Sequence, residues 1–196
     1  MMKRKFLLSV TALALCAALL AGCGGSSSST ASSAQSTAPA SSADAGSGAR
    51  TAENGTVDLD AIVSQLLETN PISNQFEIPA KDNEPDFSLE YDFGLAAEDV
   101  TAYKGVRSND NGDAGLVLVI QPAAGKSEAI CEQLQTYKQD QVAFYGNYAE
   151  FGQAQSNVEN AVISGRDDLV VMVIASNEST GDISGAVDSV MDQYAQ

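Results

Sequence analysis

Leu116-Val117-Leu118-Val119-Ile120 and Val170-Val171-Met172-Val173-Ile174 are continuous apolar runs, rich in β-branched residues and bounded by turn formers. Both are too short for an ordinary helix and read as strands. Neither alternates apolar with polar, which marks central strands covered on both faces.

Each run has a neighbour to pair with. Val100 to Arg107 reads as a strand joined to Leu116–Ile120 through a turn at Asn111-Gly112. Val158 to Ser164 pairs with Leu169 to Ala175 around Gly165-Arg166-Asp167. Between these hairpins the spacing predicts a helix over 127–145, with Ile130, Leu134, Tyr137 and Phe144 or Tyr145 on one stripe. A last helix bears Ile183, Val187, Val190, Met191 and Tyr194, with Ser179 and Asp182 making a capping-box-like start. A first helix carries Leu59, Ile62, Val63, Leu66 and Leu67 between an Asp58 N-cap and an Asn70-Pro71 stop, and 71–97 reads mostly as loop. The predicted class is therefore α+β: an N-terminal helix followed by two strand–strand–helix units, forming one mainly antiparallel four-stranded sheet packed by helices. The repeated order leaves an internal duplication open. The two late helices are expected on one face of the sheet. The first helix with 71–97, or a second subunit, is expected on the other.

The chain before this domain gives its address. Lys3, Arg4 and Lys5 form a cationic start, and Phe6 to Leu19 form an apolar stretch too short for a comfortable membrane span. Leu20-Ala21-Gly22-Cys23 then resembles a bacterial lipobox, in which the cysteine sulfur receives a diacylglycerol and the preceding peptide is removed. Residues 1–22 are thus read as a lipoprotein signal peptide and Cys23 as the lipidated residue, its acyl chains (palmitate among them) giving a stable anchor. Residues 24–55 are dominated by Ser, Ala, Thr and Gly and cannot bury enough apolar surface to fold, so 23–55 is expected to be a disordered tether. Residues 56–196 form a single domain.

Charge narrows the partners. Three of the ten basic residues lie before Cys23, while all 26 acidic residues follow it, leaving seven against 26 and a net charge of −19. Phosphate binding needs clustered Lys and Arg, so no nucleic-acid partner is expected. Anionic headgroups would repel the domain, which leaves the acyl chains as its contact with the membrane. Cys16 leaves with the signal peptide and Cys23 is acylated, so Cys131 has no disulfide partner and reads as a small buried hydrophobe.

Chemical motifs are sparse. Gly125-Lys126-Ser127 follows a strand and precedes a helix, but the first glycine of a phosphate loop would fall on Ile120, so no nucleotide is expected. The chain has no histidine, which removes zinc sites and histidine-based nucleophilic catalysis. Gly181-Asp182-Ile183-Ser184-Gly185 does not have the spacing of a nucleophile elbow. The 77–99 stretch crowds carboxylates, and Asp82, Glu84, Asp86, Glu90 and Asp92 are candidates for weak calcium binding. Asn109, Asp110, Asn111 and Asp113 form a second oxygen-rich turn, out of register for an EF-hand. No other cofactor is expected. Phe144, Tyr145, Tyr148 and Phe151 are the candidate ligand surface, with Tyr145 and Tyr148 expected to be exposed along a groove.

The lipobox, the Ser-rich spacer, an amphipathic helix and a hairpin come first in this succession. A long helix ending in Phe144-Tyr145-Gly146-Asn147-Tyr148, the Val158–Ala175 hairpin and a closing helix follow. Together they resemble the uncharacterised clostridial lipoprotein family called domain of unknown function 4358, over roughly residues 56–194. The resemblance implies an exported, lipid-anchored protein of a Gram-positive bacterium, on the outer face of the cytoplasmic membrane. It implies no activity and carries no site residues. The expected role is a non-catalytic binding or scaffolding domain, engaging an envelope protein, a peptide or a wall ligand. The alternatives are a small solute-capturing module serving a transporter, and a hydrolase using paired carboxylates on wall polysaccharide.

Overall fold

The two apolar runs lie side by side at the centre of the sheet, as their composition requires. In the computed structural model, which describes residues 57–81 and 87–196, strands β1 (Gln75–Ile78), β2 (Val100–Ser108), β3 (Leu116–Pro122), β4 (Val162–Arg166) and β5 (Leu169–Ile174) form one antiparallel sheet in the order β1-β2-β3-β5-β4. Cys23, the signal peptide and the tether lie outside the described residues. β3 and β5 pair Leu116 with Ile174, Leu118 with Met172 and Ile120 with Val170. All of β5 is buried, as is β3 apart from Gln121. Two cores result, one on each face.

On the first face, Leu116, Leu118, Ile120, Val170, Met172 and Ile174 pack under helix α3 (Ser127–Gly146) and α4 (Gly152–Glu159). The short α2 (Leu89–Phe93) closes that face, burying Phe93 between Ser88 at its N-cap and a left-handed Gly94 at its C-cap. On the second face, Val117, Val119, Leu169, Val171 and Val173 pack under α1 (Leu59–Thr69) and α5 (Ile183–Tyr194). α1 starts at Asp58, whose carboxylate accepts the Ala61 N–H at 3.0 Å. α3 buries Ile130, Leu134, Tyr137 and Tyr145 and turns its polar remainder to solvent.

Four expectations are corrected. The sheet has five strands, because Gln75–Ile78, read as loop, pairs with β2, setting Ile78 against Gly105. A four-residue edge strand holds too few residues to show a period; its partner defines it. Val158 belongs to α4, where it is fully buried, and β4 begins only at Val162. α5 is capped by Asp182, which accepts the Gly185 N–H at 3.1 Å, while Ser179 donates instead to the Thr69 carbonyl at 3.3 Å. The two late helices lie on opposite faces, and α1 joins α5 rather than the 71–97 segment. A two-fold axis exchanging antiparallel neighbours keeps each helix on its own face of the sheet, so β2-β3-α3 and β4-β5-α5 are not a symmetric duplication.

Candidate functional site

The long helix ends where the aromatic residues begin. After Gly146 the chain turns through a single 3-10 turn, Ala149–Phe151, into α4, and four rings close on one another. Ring centroids are 5.1 Å apart for Phe144–Tyr145, 5.6 Å for Phe144–Tyr148, 5.4 Å for Tyr148–Phe151 and 6.0 Å for Tyr145–Phe151, all tilted or edge-on. Phe144 and Tyr148 are exposed, at 50% and 44%, but Tyr145 is buried at 6%. The expectation of two exposed tyrosines is therefore half wrong. Tyr145 lies two turns beyond Tyr137 on the buried stripe of α3, and Phe144, one residue earlier, turns outward. The Tyr145 hydroxyl donates to the Asp113 carbonyl at 3.4 Å. Burial pushes its pKa up, and the Arg107 guanidinium nearby works against that rise.

Tyr145 still faces a cleft of about 430 Å³, together with Phe144, Phe151, Phe76, Phe87 and Arg107. The other wall is the end of β2 and the β2–β3 loop, residues 108–113. Asn111-Gly112 does form a turn, closed by the Asp113 N–H on the Asp110 carbonyl at 3.1 Å, but inside a longer loop than a tight hairpin. Gly112 has φ +80°, and a Cβ there would sit 2.9 Å from the Phe151 ring. The glycine thus lets the loop close against the aromatic cluster. The carboxylates of this turn are engaged internally: Asp113 accepts from the N–H groups of Gly115 and Asn177 at 3.1 and 3.0 Å, and Asp110 accepts from Asn74 at 2.6 Å.

Arg107 and the phenylalanines of β1 and of the α2 approach escaped the sequence reading. The usable signal was register. Tyr103, Gly105 and Arg107 share one face of β2, with Arg107 paired to Phe76 across the strands. A basic residue at an inward-facing position is the informative exception to a buried stripe. Its guanidinium lies over the Phe87 ring, 5.3 Å from the centroid, in a cation–π contact.

The calcium expectation gains no geometry. Asp82, Glu84 and Asp86 lie outside the described residues. Glu90 and Asp92 sit on α2, where Asp92 accepts the Ser88 N–H at 2.8 Å. Among the described residues no group of three or more His, Cys, Asp or Glu is placed to hold a metal ion. Lys126, of the phosphate-loop lookalike, pairs with Asp99 at 2.7 Å. Cys131 is half-buried against the first core and its thiol pKa is raised by burial, which lowers its reactivity. A second cleft, about 580 Å³, lies between α2 and the start of β2 and includes Glu90 and Tyr103. Among the described residues no helix is long and apolar enough to cross a membrane.

A family model described as Domain of unknown function (DUF4358) matches residues 79–175, a span running from the end of β1 through β5. It takes in Arg107 and all four clustered rings. No curated protein matches the chain. No solved structure matches it either.

Proposed function

Taking as premise that the chain belongs, through residues 79–175, to the family of domain of unknown function 4358, we propose that it is a non-catalytic binding domain. The acyl chains on Cys23 tether it to the outer face of the cytoplasmic membrane, and the ligand enters the cleft between α3 and the β2–β3 loop. The observation that carries this reading is the cleft itself: about 430 Å³, walled by five aromatic rings, with one cationic side chain at a fixed position. That size and that mixture of aromatic wall and a few polar groups are typical of small-molecule sites. The chain's lack of histidine supports binding rather than histidine-based hydrolysis.

The test is thermal unfolding of the full-length lipidated protein, reconstituted in nanodiscs, against wall fragments, short peptides and small metabolites. Saturation at about a hundredfold excess over the dissociation constant stabilises by about 2.7 kcal/mol, raising the midpoint by roughly 5–10 °C. The shift should disappear in Phe87→Ala. A shift that survives both Phe87→Ala and Phe151→Ala would place the ligand elsewhere, and no shift with any compound would overturn the reading.

A further inference from the structure

We infer that the cleft takes a small monoanion, a carboxylate carried on an aromatic or branched apolar body, with the carboxylate on Arg107 and the body among the rings. This rests on the binding reading above and names the ligand class.

Among the described residues, Arg107 is the one basic side chain that lines this cleft. Lys81 pairs with Glu77, Lys104 with Asp60 at 2.9 Å, Lys126 with Asp99 at 2.7 Å and Arg166 with Asp192 at 2.5 Å. Lys138 donates to the Ala161 carbonyl at 3.0 Å. Arg107 has no carboxylate in ion-pair contact among the described residues, although acidic residues outnumber basic ones 26 to ten in the chain. What holds it is the Phe87 ring, 5.3 Å from its guanidinium carbon, and a hydrogen bond with the Tyr145 hydroxyl. A guanidinium carries five N–H donors, so one tyrosine partner leaves others for a ligand, and a carboxylate matches them in a two-pronged hydrogen bond.

Size and charge then choose among anions. A volume of about 430 Å³ suits a small molecule. The same cleft is lined by Asp110 and Asp113 opposite a single arginine. Both carboxylates are held by N–H donors of the protein, and their repulsion weighs about twice as heavily on a doubly charged phosphate ester as on a singly charged carboxylate. Phe76, Phe87, Phe144 and Phe151 offer ring faces and edges to the apolar remainder.

The experiment is calorimetric titration of the full-length lipidated protein in nanodiscs, with empty nanodiscs as blank. Three probes share one body: 3-phenylpropionate, its neutral amide, and 2-phenylethyl phosphate. The expected result is saturable binding of the carboxylate, at least tenfold tighter than the amide or the phosphate ester. Arg107→Gln should remove that preference and Arg107→Lys should retain part of it, a cooperative unfolding transition showing that each variant is folded. Equal binding of carboxylate and amide, abolished by Phe87→Ala, would overturn the anion assignment while leaving the cleft as a binding site. Tighter binding of the phosphate ester would overturn the monoanion assignment. No binding by any probe, alongside a saturable shift with an uncharged wall fragment, would also overturn it; no binding by anything would remove both readings.

Discussion

Asn70 looks, in the chain, like a simple helix stop before proline, and in the fold it is a clamp. It is fully buried, its amide donates to the Ile174 carbonyl at 3.0 Å, and its carbonyl oxygen accepts the Ser176 N–H at 2.8 Å. One side chain thus ties the end of α1 to the end of the central strand β5. Asn70→Ala would strand a buried carbonyl and a buried N–H, and should lower unfolding stability by about 2–4 kcal/mol in urea titrations. Tyr137 makes a second residue-level prediction. Burial pushes its pKa up to about 12 from 10.0, with Arg107 pulling the other way. The folded chain therefore keeps a proton that the unfolded chain gives up between those two values. Stability should be full below pH 10 and fall by at most about 2.7 kcal/mol as pH rises towards 12. Tyr137→Phe should remove that part of the loss, leaving any contribution from Tyr145, when urea midpoints are compared at roughly pH 9 and pH 12.

At the scale of elements, close approach between strands and the capping of helices decide what each segment tolerates. Gly105 pairs with Leu118 of β3, and a Cβ there would run into the Val117 carbonyl oxygen of that neighbouring strand. Gly105→Ala should cost about 2 kcal/mol or more, seen as a lower urea midpoint, because backbone rather than a flexible side chain must move. Asp182→Ala removes the N-cap of α5 and should cost about 1 kcal/mol by the same measurement. The elements legible in the chain were those long enough to show a pattern or uniform enough to demand burial: α1, α3, α5, β2, β3 and β5. Those that were not were short: β1 with four residues, α2 with five and α4 with eight. In each of these the tertiary partner, not a repeating pattern, sets the conformation.

Over the whole molecule, charge and tether act together. After Gly22 the chain carries seven basic and 26 acidic residues, so self-repulsion works against folding. Raising salt from about 10 mM to about 1 M should raise the unfolding midpoint by a few degrees through screening; an unchanged or lower midpoint would mean that local ion pairs outweigh the net field. Under the proposed anchoring, Cys23→Ala should release the protein from the membrane fraction into the medium, and retention in the membrane would refute it. Release should leave cleft binding intact, since the family match and the cleft both lie far along the chain from Cys23.

The sequence by itself determined the α+β class, the two central strands, the three longer helices and the site of the aromatic cluster. Each depends on local composition or on a short period that the chain carries along its own length. Only the tertiary structure decided that α1 and α5 share one face while α3 has the other, that a fifth strand completes the sheet, and that Tyr145 turns inward while Tyr148 does not. It also decided that Arg107 meets Phe87, an aromatic contact twenty residues away in the chain. Which residues become neighbours across a sheet depends on strand order and register, and those are settled by the packing of the whole chain, not by any segment alone.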